Sequence, residues 1–353
     1  MGQPERADAK ETGAAKDKSL GDRPTMTLLG MIHGYWISQV VRAAADLRLA
    51  DHLADGPLTA AEVAGLESSD PAATYRLMRT CAAHGLLTCD DDGRFAVTPT
   101  GELLRSGVPG SLRDHALAFG APGHWLPWGQ LPEAVRKGGT QAAAVLGDDL
   151  FGYLAGQPEE EAQFAASMEA LTAGVAAEAA QVIDVRGAGL AVDVGGGTGQ
   201  LVRELMRAND GLRGLVLDLP QATVAARLAA EADGLGDRFS GVAGDFFSVV
   251  PAADLYLLKA VLHDWDDDSC ALILRNCRKA ARPGARVMVI ENVIRDPARD
   301  RFATLLDMNM LAVTSGQERD LDAYDALFAA SGWRRAAVHA LPGARSLLEL
   351  HMA

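Results

Sequence analysis

Between Leu190 and Leu201 the chain reads LAVDVGGGTGQL, and this stretch limits the possible folds more than any other. An apolar run ends in Asp193. Gly195, Gly196, Gly197 and Gly199 then fall within five positions, and Leu201, Val202, Leu205 and Met206 follow at helical spacing. A main chain without Cβ atoms lets a flat ligand approach closely. Strand, glycine turn and helix in immediate succession predict a nucleotide-binding turn in an α/β sheet. The dinucleotide fingerprint G-x-G-x-x-G is met at Gly195 and Gly197, but Gln200 stands where its third small residue belongs. No Lys is present to complete a Walker-type phosphate loop. A plain glycine-rich turn and a nicotinamide site remain open readings at this point.

From Gly189 onward the pattern alternates strand with helix, which predicts a mainly parallel sheet. The candidate strands are Leu190–Val194, Gly214–Leu217, Phe239–Ala243, Asp254–Leu258 and Arg286–Ile290. A final antiparallel hairpin pairs Trp333–Ala340 with Ser346–His351. Open α/β sheets bind ligands at the carboxyl ends of their strands. Here the five parallel strands end at or beside Asp193, Asp218, Asp245, Lys259 and Glu291, a polar register that predicts a site. Asp218 lies 25 positions after Asp193, a suitable distance for a carboxylate that accepts both hydroxyls of a ribose. Asp245, in GDFF, suits an adenine amino group, and Phe246 suits the face of its ring.

The region before the sheet divides in three. Residues 1–24 are polar and charged, too poor in apolar surface to order themselves, and are expected to form a disordered leader. Residues 25–105 begin with a helical pattern over Met26–Ala54. A capping box at Thr59 and Glu62, a helix entered through Ser69-Asp70-Pro71, and a hairpin turning at Asp92-Gly93 complete a winged-helix unit. DNA binding is the obvious role for such a unit, and charge argues against it. Gly56 to Arg105 holds seven acids against four bases, the wing tip is Asp90-Asp91-Asp92, and the whole chain carries a net charge of −14. Such a surface repels phosphate, so a dimerisation role is expected. Residues 106–187 read as helices with loops. His124, Trp125 and Trp128 in GHWLPWGQL wall either a pocket for a flat substrate or a core cluster. Periodicity by itself puts Met168 in a core.

No apolar run approaches the ~18 residues of a membrane span, and the N-terminus lacks a signal core. Cys81, Cys89, Cys270 and Cys277 form no CxxC pair and have no His at metal-ligand spacing. They read as reduced thiols of a cytoplasmic protein without a metal site.

The form DVGGGTG resembles motif I of class I S-adenosylmethionine-dependent methyltransferases. The resemblance sharpens after the fourth strand, at LKAVLHDW. The order DVGGGTG, LDLP, GDFF, LKAVLHDW, RPG, an acidic strand end and GQER is similar to the plant caffeate-type O-methyltransferase family. Bacterial relatives in that family methylate anthracycline, mitomycin and phenazine-type aromatics. The likeness runs from about Met26 to the C-terminus. It implies a Rossmann-like catalytic domain over 188–353, joined to an N-terminal, mainly helical winged-helix dimerisation domain in an interlocked homodimer.

The resemblance further implies His263 as general base, flanked by the acids Glu291 and Glu318. S-adenosylmethionine is the implied cofactor, bound by Asp193, Gly195, Gly197, Asp218, Leu219, Gly244, Asp245, Phe246, Lys259 and Trp265. Trp125, Met168, Asp264 and Asn309 are the implied contacts to a small aromatic substrate. A phenol of pKa ~10 is a poor nucleophile at neutral pH, and a His of pKa ~6.5 can accept its proton during attack on a sulfonium methyl. Two carboxylates beside the ring would fix its tautomer. This chain departs from the family at SGQERD, where GGKERT is common, and at DMNML, Asp307 to Leu311, which shapes the acceptor side. N-methylation, cofactor-assisted decarboxylation or hydroxylation, and a winged-helix regulator are the competing readings.

Overall fold

In the computed structural model, residues 24–341 and 345–353 are described. The expected leader lies outside them except for Pro24. That proline opens the first helix, Pro24–Asp46, where its missing N–H costs nothing. The single helical pattern expected over Met26–Ala54 is broken. Arg48 adopts φ 46°, and a short helix, Leu49–His52, restarts the chain in a new direction. Glu67 offsets the strain by accepting two hydrogen bonds from the Arg48 guanidinium, at 2.8 and 3.1 Å. Periodicity cannot register such a corner, because apolar residues continue on both sides of it.

Thr59 and Glu62 form the capping box that opens helix Ala60–Glu67, and Asp70 caps helix Pro71–Ala83. Strands β1 (Leu58–Thr59), β2 (Leu87–Cys89) and β3 (Arg94–Val97) make a small antiparallel sheet in the order β1-β3-β2. The β2–β3 turn uses Gly93 at φ 76°. Val63, Met78, Cys81 and Phe95 are buried at the centre of this unit.

The second sheet has seven strands. They are β4 (Leu190–Val194), β5 (Arg213–Asp218), β6 (Phe239–Ala243), β7 (Leu255–Lys259), β8 (Arg286–Asn292), β9 (Trp333–Ala340) and β10 (Arg345–Met352). Their order is β6-β5-β4-β7-β8-β10-β9. The first five are parallel, and β10 runs antiparallel to both β8 and β9. The apolar runs of β4, β7 and β8 are buried on both faces, as a sheet covered by helices on each side requires. The strand order reverses between β4 and β7, and every parallel strand there ends on the same side. Helix Pro158–Val182 packs against helix Gln200–Ala208 and against Arg113–Gly120, linking the sheet to the N-terminal helices.

Candidate active site

Behind β4 the glycine loop takes backbone angles open mainly to glycine, with φ 67°, 57° and 71° at Gly195, Gly197 and Gly199. A Cβ on Gly196 would stand 2.5 Å from Asp193 Cγ, so the loop folds directly over that carboxylate. Asp193 is buried and its Oδ2 has no protein partner. Burial pushes its pKa up to about 7, against the pull of Lys259. Lys259, at the end of β7, is itself pushed down to about 8, first by burial and then by Arg345. Asp218 ends β5 and accepts hydrogen bonds from Gly197 N at 2.8 Å and Leu219 N at 2.7 Å. Gly244 packs against Leu217 and donates its amide to the Asp218 carbonyl. Asp245 caps its own turn, accepting from Phe247 N and Ser248 Oγ, while Phe246 and Phe247 meet the Trp265 ring edge-on. A cradle without side chains, a carboxylate at the second strand end and an aromatic floor fit an adenosine-bearing cofactor.

Beyond β7 the chain turns sharply. Ala260 takes φ 52°, a left-handed conformation that costs a Cβ-bearing residue roughly 1–3 kcal/mol. Leu262–Asp264 then form one tight helical turn. Glu291, on β8, stabilises its start, with Oε1 accepting from Val261 N at 3.0 Å and Leu262 N at 2.9 Å. His263 is thereby held with Nδ1 2.8 Å from Glu318 Oε1 and 3.8 Å from Glu291 Oε2. A carboxylate only accepts, so Nδ1 is the donor, and Nε2 is left to face Asp264 Oδ1 at 3.7 Å. Glu291 and Glu318 are completely buried side chains.

The resulting electrostatics correct one expectation. The imidazole does not keep its ordinary value of 6.5. Burial works to lower it, but Glu291, Asp264 and Glu318 together overcome that cost and push it up to about 10. Burial raises the pKa of Glu291 and Asp264 as well.

On the acceptor side the expected residues separate. Trp125 is 37% exposed and lies beside Tyr35 of the first helix, with ring centroids 5.9 Å apart, so it does not join the His263 cluster. Trp128, three residues on, is half-buried and donates from Nε1 to Asn309 Oδ1 at 2.8 Å. Met168 is half-buried on helix Pro158–Val182, where its carbonyl accepts from Thr172 Oγ1. One turn on, the Leu171 carbonyl accepts from Arg345 Nη1 at 3.0 Å. A cavity of about 100 Å³ opens beside Asp264, with Thr140, Phe151 and Trp265 among its walls.

Arg345 and Tyr324 escaped the sequence reading. Tyr324 is buried and Arg345 half-buried, both near Glu291 and Glu318. Only the pairing of Ser346 with Glu291 across β10 and β8 brings Arg345 there. Among the described residues no group of three or more His, Cys, Asp or Glu can hold a metal ion, and no helix is long and apolar enough to cross a membrane.

A glycine loop after the first strand, an acid at the end of the second and a base after the fourth, on this sheet order, define a class I methyltransferase. Residues 128–334 match the model of the O-methyltransferase domain, and residues 29–107 match that of the O-methyltransferase dimerisation domain. The chain belongs to the O-methyltransferase family and is an S-adenosylmethionine-dependent O-methyltransferase. It is 36% identical over 307 residues to the phenazine O-methyltransferase PhzM of Lysobacter antibioticus, covering 87% of this chain and 90% of that one. The crystal structure of LaPhzM superposes with a TM-score of 0.89 at 35% identity, over 93% of this chain and 99% of that one. NcsB1, an O-methyltransferase from neocarzinostatin biosynthesis, was solved with S-adenosylmethionine and 2-hydroxy-5-methyl naphthoic acid. It superposes with a TM-score of 0.80 at 34% identity, over 90% of this chain and 96% of that one.

Proposed function

We propose that this enzyme methylates a phenolic hydroxyl of a small aromatic secondary metabolite, with His263 as the general base. The observation that carries the reading is the placement of His263 on the turn after the fourth parallel strand, with Nδ1 donating to Glu318 Oε1 at 2.8 Å and Nε2 left to take a proton. A phenol has a pKa of ~10. An imidazole of ordinary pKa would accept its proton uphill by roughly 5 kcal/mol, at about 1.4 kcal/mol per pH unit. Against the cost of burial, Glu291, Asp264 and Glu318 together push His263 up and so narrow that gap.

The cofactor, when bound, supplies an electrophilic methyl carbon on a sulfonium centre. Asp218 and the glycine loop orient it, Lys259 contacts it, and Phe246 and Trp265 flank its base. Glu318 fixes the His263 tautomer so that Nε2 takes the acceptor's proton. Glu291 holds the turn that carries the ring. Asp264, Asn309 and Met168 surround the acceptor, with Trp128 holding Asn309 in place. Alignment of acceptor oxygen and methyl carbon supplies the rest, since a well-oriented pair gains from proximity. The phenazine and naphthoate names of the relatives support an aromatic acceptor.

The same reading takes the chain as a cytoplasmic homodimer without a nucleic-acid partner. Met31, Ile32, Tyr35 and Trp36 leave a large apolar face on the first helix, which supports association of two copies. The division at residues 105 and 187 belongs to this proposal.

The test is methylation of a panel of phenols by the wild type and His263→Ala. The expected product is heavier by one CH2, and the variant binds S-adenosylmethionine normally while losing about 10²–10⁴-fold in turnover. Wild-type turnover in His263→Ala refutes the assignment.

A further inference from the structure

Arg319 is a buried cation that touches neither the glycine loop nor the imidazole ring. Its side chain is 1% exposed. Its guanidinium closes on the turn that carries His263. Nη1 donates to the Leu262 carbonyl at 3.0 Å, and Nη2 donates to the Trp265 carbonyl at 2.9 Å. These two carbonyls bracket His263 and Asp264. Nη1 also reaches the Gln317 carbonyl at 3.2 Å, tying the guanidinium to its own loop. Asp267, at the start of the helix after the turn, anchors the group from solvent through Nε at 2.9 Å and Nη2 at 2.7 Å. Gln317 Nε2 donates to the same Asp267 oxygen at 3.2 Å.

The same loop also packs directly on the turn at Gly316. A Cβ on Gly316 would lie 1.8 Å from the His263 carbonyl oxygen and 2.4 Å from Asp264 C, so the two backbones are in direct contact. The loop itself is secured at its far end. Asp307 accepts from Glu318 N at 2.9 Å, and the Arg319 carbonyl accepts from Ile294 N at 3.1 Å.

We propose that Arg319 is a positioning residue, which clamps the base turn to the loop bearing Glu318 so that His263 and Glu318 move as one body. Glu291 holds the amides at the front of the turn and Arg319 holds the carbonyls on either side of the base. Without the second grip no hydrogen bond ties the carbonyls of the base turn to the Glu318 loop, and only the packing of Gly316 remains. The charge of Arg319 is not the point; its planar fork is. One ammonium cannot replace three carbonyl contacts and a two-point carboxylate contact in fixed geometry.

The inference rests on the reading of His263 as base, and the experiment separates the two. Histidine NMR follows the His263 titration in cofactor-free protein and needs no acceptor. The groups facing His263 are Asp264 on its own turn, Glu291 on β8 and Glu318 on the loop. Lys259 on β7, Arg345 on β10 and Tyr324 on helix Leu321–Ala330 stand behind those acids. Arg319→Lys keeps the net charge of this set, so any fall in the midpoint reports geometry.

The clamp predicts a His263 midpoint lower by about one pH unit or more. It also predicts a kcat down about tenfold or more, with acceptor KM and cofactor Kd within about twofold. Asp267→Glu, which keeps the charge and displaces only the exposed anchor, gives the same signs with smaller size and decides the matter should Arg319→Lys not fold. A thermal midpoint that falls while the His263 titration and kcat stay at parental values overturns the clamp. So do two folded variants indistinguishable from the parent. An active His263→Ala overturns the base itself and leaves the NMR result on the clamp to stand or fall separately.

Discussion

Glu318→Gln is the perturbation whose outcome the geometry predicts most sharply. The amide is isosteric with the carboxylate and still accepts a hydrogen bond from Nδ1, but the negative charge 2.8 Å from the ring is gone. His263 is raised from 6.5 to about 10, in favour of imidazolium. Three acids share that work against the cost of burial, and Glu318 is the one in direct hydrogen-bond contact. Its loss lowers the His263 midpoint by about one pH unit or more, the shift expected of an opposite charge in hydrogen-bond contact.

The sign follows from the direction of the change. The folded-state value is raised, so the ring stays protonated through neutral pH and the free base gains about tenfold per pH unit on the way to its midpoint. Wild-type kcat/KM therefore climbs through the alkaline range. In the variant the climb ends at least one unit earlier. The plateau is also lower, because a weaker base takes the proton of a phenol of pKa ~10 less readily. The assay is the pH dependence of kcat/KM for a phenol that the enzyme accepts. A limb that stays in place or moves to higher pH refutes the argument. The stability linkage has the same direction: the contribution of His263 to folding is complete below 6.5 and is lost as pH rises to about 10, so thermal stability falls over that window.

Asp218→Ala frees the Gly197 and Leu219 amides together and removes the expected ribose acceptor. Calorimetry should show cofactor affinity down by at least about tenfold, while the fold persists. Gly316→Ala drives a Cβ into the His263 carbonyl, and backbone cannot yield as a side chain does. The expectation is a loss of about 1–3 kcal/mol in denaturant unfolding together with a marked loss of turnover. Trp128→Phe leaves Asn309, which is 8% exposed, without its indole donor. Acceptor KM should rise severalfold with cofactor affinity unchanged, and an equal loss of both argues for a general structural role.

Much of the catalytic half was legible from the residues. The glycine run, the polar strand ends and the final hairpin are local signals, written in positions that follow one another, and the observed strands match the expected ones to within one or two residues. The capping box at Thr59 and Glu62 is local in the same sense. What could not be read was any property that depends on two distant segments meeting. That His263 carries a raised pKa follows from Glu291 and Glu318, 28 and 55 positions away, arriving on one side of one ring.

The same limit explains the tryptophans and the buried Arg319. Trp125 and Trp128 look alike in sequence, and only the packing of a short helix against Tyr35 on one side and Asn309 on the other tells them apart. Asp266 and Asp267 are adjacent acids at one helix start, yet Asp266 caps that helix by accepting from Ser269 N while Asp267 anchors Arg319 from the far loop. Residue type and spacing determined the fold class and the kind of chemistry, because backbone geometry and strand periodicity are short-range. Electrostatics and clamping were decided by the tertiary structure, because a charge acts on whatever lies within a few ångströms of it in space, however far apart the two stand along the chain.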